Sequence, residues 1–289
     1  MSSHHNSLRW RSGVNLVVIA AALVAITVIT NAYSFNLMLR NFRQSLSSTA
    51  QIYAEQISGK VDKINSGSLE LVSLAASSQN YYTSSPLGRY LTQQDILTRL
   101  QDRIRYVESS DLYSFYRTDS DELLTALSNR PSTGSSYFWN QYLMLPPTQP
   151  ANTWFSVTCN GETWLMCYYN VSQVRVGAAV RAKTLLQSLY ADTGLVQDSG
   201  FALAGLDGTI VYSSQPDLMA CGTRLAGHIP ASLIVESHTV PEVGTLLLFR
   251  PSSDLLHQLS GSFGWLLLLN LLALALITTM LLNTNRHIT

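Results

Sequence analysis

The sequence predicts an α+β chain in which two antiparallel-sheet modules are carried on a long N-terminal helix, flanked by two transmembrane helices. Three observations lead there. Two apolar runs of membrane-spanning length bracket the chain, at 14–33 and 263–282. A helical apolar period continues past the first run without a break. Near residue 110 the period changes from helical to alternating and hairpin turns appear.

The first run is VNLVVIAAALVAITVITNAY, Val14–Tyr33; the second is broken only by Asn270, Thr278 and Thr279. Each has about 20 residues, and at about 1.5 Å per residue such a helix crosses a hydrocarbon core of about 30 Å. Backbone in lipid must satisfy its own hydrogen bonds, so helix is the natural form of both. A cleaved signal peptide competes for the first run, since RWRS precedes it and Thr30–Ala32 offers small residues before a cut. The apolar region is longer than a usual signal core, and the helical period runs on beyond it. A buried core helix competes for the second run, but the position at the chain end and the density of leucines argue against it.

Two spans place 1–13, a short N-terminus, and 283–289, a stub, on one side, with 34–260 on the other. Arg9, Arg11 and Arg286 flank the terminal side, while Arg40, Arg43 and Arg250 flank the middle, so the positive-inside count is a tie. The α-amino group and the arginine pair ahead of the first span favour a cytoplasmic N-terminus. The expectation is a cell-membrane protein with cytoplasmic termini and an extracellular middle. Net charge is zero, which argues against a nucleic-acid partner. Three cysteines make no disulfide framework. Asn170-Val171-Ser172 matches a glycosylation acceptor, which matters only in a eukaryotic secretory route.

From Ser34 to about Asn80 apolar or small residues recur at Phe35, Leu39, Phe42, Leu46, Thr49, Tyr53, Ile57, Ile64, Leu71 and Ala75. The four-then-three spacing over the first part is a heptad-like stripe. It predicts a helix leaving the membrane with a contact seam, pairing with a second copy near the membrane and with its own domain beyond Lys60. TSSPLG at 83–88 breaks that helix, and a second is predicted over about Thr92–Val107, with Leu97, Leu100, Ile104 and Val107 on one face. DLYSFYR, Asp111–Arg117, reads as a strand, with Glu122–Leu127 its partner across TDSD. Residues 128–153 hold Ser, Pro, Gly and the aromatics Tyr137, Phe138 and Trp139; PPTQP at 146–150 is a loop.

The clearest local signal is WFSVTCNGETWLMCYYN, Trp154–Asn170. Asn160-Gly161 is the type I′ hairpin pair. A two-residue loop pairs Cys159 with Glu162, Val157 with Trp164, Phe155 with Met166 and Trp154 with Cys167. Cys159 and Cys167 then lie on opposite faces and cannot be bridged. VRVGAAVRA, Val174–Ala182, points Val174, Val176, Ala178 and Val180 one way and Arg175, Gly177, Ala179 and Arg181 the other. The second set suits a cavity wall; a solvated outer face is the alternative. AKTLLQSLYADTG is a connecting helix. FALAGLDGTIVYSS, Phe201–Ser214, is a hairpin on Asp207-Gly208, and 233–240 and 244–251 give two more strands. A helix from about Ser253 leads into the closing run.

This order resembles the double Cache extracellular sensor domain of bacterial membrane receptors, over about residues 34–258. The segments that carry the likeness are WNQYLMLPPTQPANTWFSV, GETWLMCYYN, VRVGAAVRAKTLL and GFALAGLDGTIVYSS. The resemblance implies two PAS-like modules, a membrane-distal one with the long helix at 34–190 and a smaller membrane-proximal one at 191–258. Short loops and the spacing to the second span look most like YesM-type sensor histidine kinases, in which a linker module and the kinase follow that span. The chain would then be the input half of a signalling protein, with 283–289 the point where an output joins. Two other readings stay open: an adaptor complete as it stands, acting through a partner receptor, and a receptor whose output is a DNA-binding regulator or a methyl-accepting helix. A homodimer is the expected assembly.

The family's amino-acid-binding subgroup holds its ligand with an Arg-x-Trp pattern and an aspartate after the sheet. Here Phe138-Trp139 lacks that arginine, and Arg181-Ala182-Lys183 stands where the aspartate is expected. Amino-acid binding is therefore not carried over. The candidate ligand residues are Tyr116, Trp139, Tyr142, Trp154 and Tyr168, an apolar lining with hydrogen-bonding tips, with Arg175 and Arg181 as cations for a carboxylate, phosphate or acidic sugar. Each of the aromatics has core packing as its alternative; Trp164 and Phe155 are assigned to the core. His228, His238 and His257 lack metal-ligand spacing, and no serine sits in a Gly-x-Ser-x-Gly elbow. Asp111 and Glu122 read as strand-end and surface groups. No catalytic residue, metal or cofactor is expected.

Overall fold

In the computed structural model the described residues are 3–78, 85–107, 110–128, 151–159, 161–191, 199–225 and 229–253, with 264–265, 268–269, 271–273, 275–277 and 279 of the closing run. The elements in order are α1 (Ser3–Ser78), α2 (Pro86–Tyr106), β1 (Leu112–Arg117), β2 (Glu122–Leu127), β3 (Phe155–Cys159), β4 (Glu162–Val171), β5 (Val174–Arg181), α3 (Ala182–Leu185), α4 (Gln187–Ala191), β6 (Gly200–Gly205), β7 (Ile210–Ser213), β8 (Leu233–Val240) and β9 (Gly244–Pro251). The chain is thus α+β, with two antiparallel sheets and a long N-terminal helix. It divides into two compact units: residues 1–45, 232–234 and 251–289 form one, and 46–231 with 235–250 form the other.

In the first unit α1 is long and apolar enough to cross a membrane, and its apolar stretch faces outward. Val18, Val24, Ile26 and Ile29 are all exposed. The polar residues in this stretch are satisfied within the helix. Thr27 Oγ1 donates to the Leu23 carbonyl at 2.8 Å, and Asn31 Nδ2 donates to the Thr27 carbonyl at 2.9 Å. That is what a polar side chain must do where no water is at hand. The described residues of the closing run are helical, with Trp265, Leu268, Leu269, Leu271, Leu272 and Leu276 exposed.

In the second unit one stripe of α1 is fully covered: Leu46, Ala50, Ala54, Ile57, Val61, Ile64, Ser68 and Leu71. From Leu46 onward the stripe is therefore a contact with the chain's own domain, which begins earlier than the expected Lys60. Phe35, Leu39 and Phe42, nearer the apolar run, are half-buried. Tyr113 of β1 reaches α1, its hydroxyl donating to the Ile64 carbonyl at 3.3 Å. Gly67 makes room for it; a Cβ there would come within 2.5 Å of that hydroxyl, whereas a Cβ at Gly59 meets nothing. Opposite signs are expected on one helix. Gly59→Ala should stabilise by about 0.5–1 kcal/mol, and Gly67→Ala should destabilise, as thermal melts of the two variants would show.

Helix α2 starts six residues before the predicted Thr92. The signal overlooked is Ser85, whose Oγ accepts from the Gly88 amide at 3.3 Å, followed by Pro86 in the first turn. Its buried residues are Ile96 and Leu100, and Arg103 pairs with Glu70 of α1.

The first sheet has the order β2-β1-β5-β4-β3. The hairpin register is the expected one: Phe155 opposite Met166, Val157 opposite Trp164, Cys159 opposite Glu162. Cys167 pairs with Ala178 and is buried. On that face Tyr113, Phe115, Leu165, Val176, Ala178 and Val180 are also buried, and Tyr113 carries the contact to α1. Burial pushes the Cys167 thiol up to about 11. Cys221 is exposed. Iodoacetamide at pH 8 should alkylate Cys221 readily and leave Cys167 largely untouched until the protein unfolds, as peptide mass spectrometry would resolve.

The predicted connecting helix is two short pieces, α3 and α4, anchored by Lys60 Nζ donating to the Leu185 carbonyl at 3.0 Å. The second sheet has the order β7-β6-β9-β8, and its strands β8 and β9 fall where the sequence placed them. Its turn Asp207-Gly208 has Gly208 at φ +75° and Asp207 capping the Thr209 amide at 3.0 Å. The helix expected after Ser253 lies outside the described residues.

Candidate ligand site

Alternation along β5 decides the site. Arg175 pairs with Tyr116 of β1 on one side and Asn170 of β4 on the other; Gly177 pairs with Ser114 and Tyr168. Directly opposed residues share a face, so Ser114, Tyr116, Tyr168, Asn170, Arg175 and Gly177 form one patch, on the face away from Tyr113. Two of its members flank the β4–β5 turn, whose two-residue loop, Ser172 at φ +52° and Gln173, sets Asn170 against Arg175.

The Arg175 guanidinium carbon lies 5.7 Å from the Tyr116 ring centre and 5.4 Å from that of Tyr168. It is a cation held between two π faces, an arrangement that strengthens as water is excluded. Its Nε donates to Asn170 Oδ1 at 3.3 Å, and the residue is only 9% exposed. Burial holds the guanidinium below its ordinary pKa, with the two phenols pulling the other way. The Tyr116 hydroxyl donates to Asp121 Oδ1 at 2.7 Å, and this bond raises the phenol's pKa. Burial raises that of Tyr168. The solvated-face alternative for this side of β5 is thereby overturned: Arg175, Gly177 and Ala179 are all buried.

Arg181, at the other end of the same face, is engaged differently. Its Nη2 and Nε donate to Asp111 Oδ1 at 2.6 and 3.2 Å, and its backbone amide donates to Oδ2 at 2.8 Å. Its guanidinium also lies 5.6 Å from the Trp164 ring centre. Asp111 is 3% exposed and accepts further from Ser128 Oγ at 3.3 Å. It is not the strand-end surface group expected from the sequence but the buried counter-ion of Arg181. Sequence separation hid the pair, because β1 and β5 become neighbours only in the folded sheet. Glu122, by contrast, is a strand-end group, accepting from Gln93 of α2. Between the two arginines the face is apolar: Leu112, Val157, Trp164, Met166 and Ala179 form one core cluster, with Phe155 packed against it. Trp164 and Phe155 are thus core residues, as assigned.

Trp154 is placed elsewhere. Its Nε1–H donates to Asn65 Oδ1 of α1 at 3.2 Å, and Asn65 Nδ2 donates to Glu242 Oε2 in the β8–β9 turn at 2.6 Å. It lines a cleft of about 310 Å³ with Phe155, Ser156, Leu165, Gly205, Leu206 and Val243. The structure therefore does not bring Trp154 together with the Arg175 patch. Trp139 and Tyr142 lie outside the described residues. Of the seven candidates, Tyr116, Tyr168 and Arg175 converge. Gly177, which alternation along β5 had put on the same face, joins them, as do Asn170 and Ser114, which were not singled out from the sequence, although the β4–β5 register could have supplied Asn170. Among the described residues no three His, Cys, Asp or Glu side chains group as metal ligands.

No protein-family model and no curated protein matches the chain. Solved structures with a similar course include three sensor domains. The ligand-binding domain of the Pseudomonas fluorescens chemoreceptor CtaA, in complex with L-serine, is 12% identical at a TM-score of 0.45, covering 74% of this chain and 99% of that one. The Vibrio cholerae histidine kinase DctB sensor domain is 13% identical at 0.44, covering 76% and 99%. The extracellular domain of the putative histidine kinase rpHK1S-Z16 is 12% identical at 0.45, covering 76% and 98%.

Proposed function

We propose that this chain is the input part of a membrane receptor of the double Cache kind, in which the Arg175 face of the five-stranded sheet binds a small extracellular ligand. The observation that carries the reading is the division of labour between the two faces of that sheet. One face is closed by mainly apolar side chains and reaches α1 through the Tyr113 hydroxyl. The other holds a desolvated cation, two phenols, an amide and a glycine, groups that recognise a small molecule and are costly to bury as packing. The Asn170 amide near the end of β4 and the buried hydroxyl of Ser114 supply further polar groups on that face.

The receptor sits in the cell membrane through α1 and the closing apolar run, with the sheets outside and the termini inside, and it works as a homodimer. The output reading that fits best is a YesM-type sensor kinase. A ligand that binds one arrangement of the sheet on α1 better than another shifts the population between them, and that differential affinity is the signal.

The test uses the full chain in lipid nanodiscs and the low-molecular-weight extract of the cells that make it. The extract should raise the unfolding temperature of the wild type. Gly177→Leu, which projects a side chain between Tyr168 and Ser114, should keep the fold by circular dichroism and abolish the rise. An equal rise in both proteins, or none in the wild type, would contradict the proposal.

A further inference from the structure

We infer that the cleft between β3 and the turns of the second sheet is a second ligand site, which takes a small primary ammonium ion with its head at Asp207 and its apolar body inside.

The cleft lies within the larger unit and shares no residue with the Arg175 patch. Three stretches of chain build it. They are the entry to β3 at Thr153–Ser156, the end of β6 with its turn at Gly205–Asp207, and Val243 in the β8–β9 turn. Its volume, about 310 Å³, is at the lower end for small-ligand pockets and suits a short chain or a single ring. Exposure divides the lining in two. Trp154, Leu165 and Val243 are buried and make an apolar inner wall; Ser156, Leu206 and Asp207 are exposed and make the lip. An occupant therefore places its apolar part inside and its polar head at the lip.

Charge chooses the head. Among the described residues that line the cleft, Asp207 alone is charged. Thr209 orients its carboxylate, the backbone amide donating to Oδ1 at 3.0 Å and the hydroxyl to Oδ2 at 2.8 Å. Each oxygen thereby uses one lone pair and keeps another for a further donor. The Thr209 bonds hold the carboxyl below its ordinary pKa, and Arg224 adds a smaller pull in the same direction from longer range. No ion pair closes on Asp207 among the described residues. Glu242, next to Val243 and bonded to Asn65, adds a second negative charge beside the cleft. An anionic head would meet both carboxylates. A neutral head would leave the Asp207 charge unanswered. A primary ammonium carries three donors. Asp207 takes one, and the Ser156 hydroxyl, which has no hydrogen-bond partner among the described residues, takes another.

The experiment takes the full chain in nanodiscs at pH 7 and measures thermal shifts with benzylamine and with primary alkylamines from propylamine to pentylamine. Each is paired with the alcohol and the carboxylate of the same carbon skeleton. At least one amine should stabilise the wild type, with its alcohol and carboxylate inactive. Asp207→Asn keeps an oxygen for the Thr209 amide and so keeps the turn. It should weaken that amine by about 10-fold, read from the concentration dependence of the shift, the lower end for a charge-assisted hydrogen bond at an exposed group. Ser156→Phe, an exposed position on an edge strand, should fill the cleft, keep the fold by circular dichroism and abolish the shift. Gly177→Leu, on the other face of the first sheet, should leave the amine affinity unchanged. An alcohol or carboxylate as effective as its amine would overturn the ammonium head. An amine shift that survives Asp207→Asn and Ser156→Phe undiminished, or that Gly177→Leu removes, would overturn the cleft as its site. No shift with any probe would overturn the inference.

Discussion

Replacing Asp111 with alanine is expected to cost about 3 kcal/mol of stability, at the lower end of what breaking a buried ion pair costs. The reason is geometric. One carboxylate, itself 3% exposed, serves two guanidinium nitrogens, the Arg181 backbone amide and the Ser128 hydroxyl. Alanine removes all four acceptor contacts together and leaves a cation beside the apolar cluster of Leu112, Met166 and Trp164. The Arg181 side chain keeps 29% of its exposure, so water can reach it, which is why the lower figure applies. A drop in melting temperature of roughly 6–12 °C is expected for a domain of this size. Asp111→Asn, which can still accept from the backbone amide, should lose less. A melt within about 1 °C of the wild type for Asp111→Ala would show that the pair contributes little.

A second large effect is expected at Gly244, the first residue of β9. Its φ is +145°, a conformation that residues with a side chain rarely adopt. It lies directly opposite Gly205 in the β6–β9 ladder, and an added Cβ would run into the Ala204 carbonyl oxygen and the Gly205 backbone. The neighbour here is main chain and cannot swing aside. Gly244→Ala therefore combines backbone strain of about 1–3 kcal/mol with local separation of two central strands. A loss above about 3 kcal/mol is expected, with faster amide exchange along 200–205 and 244–249 before global unfolding. A variant as stable as the wild type with an unchanged exchange pattern would contradict the close approach.

Both effects show what the sequence could and could not display. Hairpins declare themselves locally: Asn160-Gly161 and Asp207-Gly208 fix their turns, and the Cys159–Glu162 register follows from loop length alone. The strands at 233–240 and 244–251 were legible for the same reason. The face of β5 was legible because alternation needs no partner, and it gave Arg175, Gly177, Ala179 and Arg181 as one set. What alternation cannot give is which strand lies alongside. The order β2-β1-β5-β4-β3 sets residues from 111 to 117 against those from 174 to 181, and only then do Tyr116 and Asp111 acquire their partners.

Trp154 failed for a related reason. Extending the hairpin by one pair assigns it to the sheet, whereas its indole is claimed by Asn65 on a helix 89 residues away. The long-helix stripe agrees at Leu46, Ile57, Ile64 and Leu71, but Ala50, Ala54 and Val61 are covered where the spacing pointed to Thr49 and Tyr53. Its occupant was misjudged between Leu46 and Lys60, because a heptad spacing does not distinguish a second copy from the chain's own sheet.

The most direct measurement is hydrogen exchange on the full chain in nanodiscs, with and without the low-molecular-weight extract. The account predicts protection at 112–117 and 166–178, around Tyr116, Tyr168 and Arg175, accompanied by a smaller change along the covered stripe of α1 from Leu46 to Leu71. Protection confined to 200–251, or no change on the five-stranded sheet, would contradict it.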